Sequence, residues 1–172
     1  MPPGLVHRAK IAPLSRYDWL LFFHVTGAFL LVGGAVIAGA LNIAALRSGR
    51  RPSEILLLFG LIRRIAVPAI GVGTLLLFVF GLWLVHEAGY GYSDGWIVTA
   101  IVLLIIGNAM GGYAGNRDRR TAEYAQQLAT HGDEPSAELQ ARVRDPISLA
   151  GSYGSGLILV ALLAIMIWMP GA

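Results

Sequence analysis

Tyr17–Leu46, YDWLLFFHVTGAFLLVGGAVIAGALNIAAL, decides the fold. After Asp18 no charged side chain occurs until Arg47, and His24 is the one histidine inside the run. A membrane helix needs about 20 predominantly apolar residues, so this run can cross a bilayer with residues to spare. His24, Gly27, Ala28, Gly34, Ala35, Ala38 and Asn42 recur at helical spacings of three, four and seven, which puts them on one face. Leu21, Phe22, Val25, Phe29, Val32, Val36 and Ile37 fill much of the remainder. The pattern predicts a membrane helix with a fatty outer face and a close-packing inner face that carries a histidine.

The rest of the 172-residue chain prefers the same solvent. Hydrophobic residues make up 56% and charged residues 13%, with mean hydropathy +0.66. A soluble domain carries about 25% charged residues. Three further runs, about 65–86, 96–115 and 147–169, join 17–46 in predicting an all-α, four-span bundle, one membrane domain over 1–172. The net charge of +3 comes from arginines that lie mostly between the apolar runs. There they read as topology determinants rather than as a nucleic-acid surface. The absence of cysteine excludes disulfides, thiolate metal sites, iron–sulfur clusters and covalent c-type haem.

Ahead of the first span, residues 1–16 form a basic tail broken by Pro2, Pro3 and Pro13. The following apolar run greatly exceeds the h-region of a signal peptide, about 7–15 residues, so the helix is read as retained. Arg47, Gly49, Arg50, Arg51 and Pro52 end it, with Ser53 the expected N-cap of the next helix. Ser53–Glu87 would reach about 52 Å as one helix, against a hydrocarbon core of about 30 Å. Arg63 and Arg64 therefore divide an interfacial helix from the second span, which is expected to kink near Pro68, Gly71 and Gly73. The third span contains Gly107, Gly111 and Gly115, a double GxxxG that admits close approach by a helix of this chain or of a partner. Asn116–Asp145 reads as a polar loop with short helical pieces. Asp145-Pro146 suits N-cap and N1 of the fourth span, where Ser148, Gly151, Ser152, Ser155 and Gly156 repeat the small-residue spacing.

Basic residues cluster in the segments after the first and third spans, ten in all against three in the N-terminal tail. The positive-inside rule then predicts a bacterial-type plasma membrane protein with both termini outside and 116–145 in the cytoplasm. His24 falls about 10 Å into the first span from the outer side, and His86 ends the second. Two neutral imidazoles on facing helices are the donor set of a b-type haem, and the small residues beside His24 would make room for a macrocycle. Three readings of His24 stand together: a haem ligand, a buried histidine bonded across the bundle, and a metal- or proton-handling group. No paired carboxylates, nucleophile–base pair, phosphate loop or methionine cluster points to catalysis or to a metal.

Leu20-Leu-Phe-Phe-His24-Val-Thr-Gly-Ala-Phe-Leu-Leu-Val-Gly33-Gly34 fits an L-x-x-x-H-[VI]-x-[GA]-x(4)-[VL]-G-G pattern. With Gly81-Leu-Trp-Leu, Trp96 and Met166-Ile-Trp-Met-Pro-Gly171, it resembles the four-helix membrane family of unknown function 2269. More distantly the chain is similar to copper-resistance D-type and HemJ-type membrane proteins. In the HemJ type a first-helix histidine binds haem, which the resemblance carries to His24. Two functional expectations follow. The first is a small redox-associated membrane protein that binds haem b through His24, with His86 as the second axial ligand. The second is a non-catalytic accessory subunit that docks on a membrane protein partner, or on a second copy, through small-residue faces. Gly27, Gly34, Gly107, Gly111, Gly115 and Ser152 are the packing residues of these readings.

Overall fold

The computed structural model describes residues 15–169, and residues 1–14 of the basic tail, with His7, lie outside them, as do 170–172 at the other end. The described chain is helical and contains α1 (Arg16–Ala45), α2 (Pro52–Leu61), a π-helical turn (Ile62–Ala66), α3 (Val67–Glu87), α4 (Gly95–Thr130), α5 (Ala137–Val143) and α6 (Pro146–Trp168). Four helical stretches are long and apolar enough to cross a membrane, so the four-span all-α reading holds.

Capping explains where the helices begin. Ser15 accepts from the Asp18 amide while the Asp18 carboxylate accepts from the Ser15 N–H at 2.8 Å, a reciprocal capping box that starts α1. Asp145 caps α6 by accepting from the Ser148 amide, with Pro146 following at N1. Ser53 is not the cap of α2. Pro52 opens that helix after Arg51. Ser53 instead donates its amide and its hydroxyl to Asp133, at 2.8 and 2.7 Å, and so ties α2 to the turn after α4.

One expectation is refined and another changes. Arg63 and Arg64 lie in the π turn that separates α2 from α3, but the backbone stays helical through it, so the two helices form one 36-residue rod, Pro52–Glu87. The anticipated kink takes this form because Pro68 has no N–H to offer the Arg64 carbonyl, and the ladder widens just before it with Val67 bonding Ile62. Asn116–Asp145 is not mainly a loop. α4 continues unbroken to Thr130 over 36 residues, and α5 folds back beside it.

In the membrane the helices form two pairs, α1 with α3 and α4 with α6. The α1/α3 pair is nearly backbone on backbone. A Cβ at Gly27 would lie 2.6 Å from the Leu77 nitrogen, one at Gly73 2.5 Å from the Leu31 nitrogen, and one at Gly34 2.8 Å from Ile70. Small residues let helices approach this closely where lipid supplies no hydrophobic drive. Leu31 and Leu77 of this pair meet Ala100, Leu104 and Leu162 of the other in a midplane cluster. Thr74 adds a polar tie by donating to the Asn108 side-chain carbonyl at 3.1 Å.

At the arginine-rich end α1, α2 and α4 outrun the roughly 30 Å hydrocarbon layer. Their ends fold with α5 into a cap whose core is Ala45, Ile55, Phe59, Ala125, Leu139 and Val143. Arg144 fastens it by donating to the Leu46 carbonyl and to Ser48, and Arg117 pairs with Asp145 at 2.6 Å.

Candidate ligand site at His24

Packing fixes the orientation of the first-span histidine. The α1/α3 crossing sets His24 against Gly81, where an added Cβ would fall 3.0 Å from ring atoms Cε1 and Nδ1. The missing side chain is therefore what seats the imidazole. His24 Nδ1 lies 3.1 Å from the Leu77 carbonyl oxygen. A carbonyl can only accept, so Nδ1 carries the proton and Nε2 of the neutral ring keeps its lone pair. Metal-bound histidines are commonly fixed in this way, with one nitrogen donating to a carbonyl and the other free to ligate.

The half-buried ring lines a cavity of about 280 Å³ between the two helix pairs. Tyr17, Leu21 and His24, spaced by four and three, form its α1 wall, and Leu162, Met166 and Met169 form its α6 wall with the same spacing. The α3 wall includes Leu77, Gly81 and Val85, and the α4 wall includes Trp96, Ala100 and Leu104. Tyr90 and Trp96 meet edge to face with centroids 5.4 Å apart at the aromatic end. The indole N–H of Trp96 is buried with no acceptor among the described residues. The slot thus combines an apolar lining with an imidazole that has a spare lone pair.

His86 does not join His24. It is exposed and absent from the cavity wall, five residues beyond Gly81 on α3 and therefore about 7.5 Å farther along the axis. Sequence reasoning chose His86 because a residue count gives depth in the membrane without the register between helices. Met166, which shares the wall with His24, was passed over because one methionine in an apolar span carries no signal.

The other residues singled out for packing divide by location. Gly27 and Gly34 lie in the α1/α3 crossing. Gly107 and Gly111 face Ile158 and Ser155 of α6, at 3.1 and 3.5 Å from an added Cβ, so most of the GxxxG row serves a contact inside the chain. Gly115 faces open space. Ser152 is half-buried on α6, and its carbonyl accepts from the Ser155 hydroxyl at 2.8 Å.

Residues 18–170 match the family described as a predicted integral membrane protein, DUF2269, and the chain belongs to that family. Neither the curated proteins nor the solved structures give a match.

Proposed function

We propose that this integral membrane protein binds a flat, membrane-soluble ring compound between its two helix pairs, with His24 as the recognising group and haem b as the ligand. The observation that carries this reading is the Nδ1–H bond to Leu77, which leaves Nε2 in the ligating tautomer on an apolar cavity. Haem b requires an axial nitrogen donor and an apolar slot, and the residues present supply both. When bound, it would give the protein a one-electron redox centre. This chain would contribute the His24 donor, hold its orientation through Leu77 and Gly81, and exclude water with the leucine and aromatic walls. His86 has no part in the reading, and the role is binding rather than catalysis.

A specific observation also favours a smaller ligand. At about 280 Å³ the cavity sits at the lower edge of ligand pockets, which span about 300–1,000 Å³. A single-ring headgroup with an apolar tail, such as an isoprenoid quinol, would fit without parting α1 from α6, and its hydroxyl would donate to Nε2. Both readings place the protein in a bacterial plasma membrane beside redox chemistry. The accessory-subunit alternative loses most of its docking row to α6.

Expression with haem supplementation, purification in detergent, and spectra before and after reduction test the first reading, with solvent extraction of bound quinone for the second. The expected outcome is one of the two ligands at near one per chain, reduced at least tenfold by His24→Ala with the helical content unchanged. Recovery of neither, or equal recovery from His24→Ala, overturns the proposal.

A further inference from the structure

The arginines of the basic end fall into two groups. Arg50, Arg117, Arg119 and Arg142 pair with Glu54, Asp145, Glu123 and Glu138, and Arg144 holds the end of α1. Arg63, Arg64 and Arg120 are exposed and have neither an ion pair nor a side-chain hydrogen bond among the described residues. The acids that could serve them are engaged elsewhere. Besides those four, Asp118 accepts from Ser148 and Asp133 from Ser53. Glu134 lies beyond the end of α4, whose last residue, Thr130, is about 15 Å from Arg120 by helical rise.

Depth distinguishes these three from the other exposed arginines. Counted from Glu87 along α3, Arg64 lies about 35 Å away, and Arg120 lies about 36 Å from Trp96 along α4. Both distances exceed the roughly 30 Å hydrocarbon layer by a few ångströms, which is headgroup depth. Arg51, the exposed N-cap of α2, lies about 18 Å farther from the bilayer than Arg63, and Arg47, also exposed, lies beyond the end of α1. Ile62 packs on the same core as Ala122, so Arg63 and Arg120 stand on neighbouring helices at one level. The π turn carries Arg63 and Arg64 consecutively on the outside of the rod.

We infer that Arg63, Arg64 and Arg120 form a headgroup site for an anionic phospholipid. A lipid phosphate is the anion available at this depth. The guanidinium fork matches its oxygens, and a juxtamembrane arginine contributes about 1 kcal/mol toward anionic lipid, roughly a fivefold change in affinity. The site stands apart from the His24 slot, so the two proposals fail separately.

Native mass spectrometry of the full chain, released from micelles titrated with short-chain phosphatidylglycerol or phosphatidylcholine, tests it. The expected result is preferential phosphatidylglycerol adducts, weakened about 25-fold in Arg63→Gln/Arg64→Gln. Arg119→Gln, at the same depth but paired with Glu123, should change binding less than twofold. Arg63→Lys/Arg64→Lys should keep most of it, which guards against a fold defect in the glutamine variant. Equal binding of both lipids, an equal loss at Arg119→Gln, or displacement of phosphatidylglycerol by an equal concentration of inorganic phosphate overturns the inference.

Discussion

Where α1 crosses α3 in the membrane, the positions at closest approach are Gly27, Gly34 and Gly73. Where α2 meets the end of α4 and α5, the buried core is instead mostly large side chains, Ile55, Phe59, Leu139 and Val143, set against Ala45 and Ala125. The two regions share the rod Pro52–Glu87, yet they are built from opposite residues because their solvents differ. In water, burying a large apolar side chain is itself favourable, by about 1.5–3 kcal/mol. In lipid the same side chain is equally comfortable outside, so helices associate through dispersion and close backbone contact, which demand small residues. Apolar content alone would class the end of α1 and the first turns of α2 with the spans. They pack instead with Ala125 and Leu139 in the cluster at the arginine-rich end.

The contrast can be broken from either side. Gly73→Leu should have the largest effect. Its Cβ would sit 2.5 Å from a backbone nitrogen that cannot yield, at a cost of at least about 3 kcal/mol, the top of the overpacking range. Size-exclusion and thermal unfolding in detergent should show loss of the monodisperse protein. Gly115→Leu, facing open space, should match the wild type within about 0.5 kcal/mol. Equal damage at both sites would refute the close-crossing account.

Next comes Leu139→Ala in the cap, where the side chain is fully buried. It should cost about 2–5 kcal/mol of local stability. Limited proteolysis should then cut between α4 and α5 while the spans stay protected. Cleavage no faster than in the wild type would mean that the cap is not held by burial.

The smallest expected effect concerns the tie between Ser53 and Asp133. Hydrogen bonds from the Ser53 hydroxyl and then its amide hold the Asp133 carboxyl below its usual value. The contribution of this tie is therefore complete above the unfolded pKa, about 3.9, and is lost as pH falls through the lower folded value. Hydrogen exchange at the Ser53 amide should be flat from neutral pH to about 5 once corrected for intrinsic rates, then accelerate in more acidic buffer. Asp133→Asn should abolish that acid-dependent step.

How far the sequence could be read follows the same division. Spans, helix-packing glycines and the lone histidine were legible because lipid imposes length and composition locally. Gly81 as the seat of His24 was not legible, since its role depends on a register between α1 and α3 that no local pattern encodes. Ser53 was misread as a cap because its partner Asp133 lies 80 positions away. Residues 116–130 read as loop because charged residues following an apolar span resemble a connector, although their alanines and leucines face a core formed by α2 and α5.

The unbroken rod has a mechanical consequence. Ser53, at its cap end, is fastened to Asp133, and Leu77 and Gly81, far down the same rod, hold the imidazole of His24. With only the wide turn at Ile62–Ala66 between them, the tie at the cap and the seat of the imidazole are two points on one continuous piece of backbone.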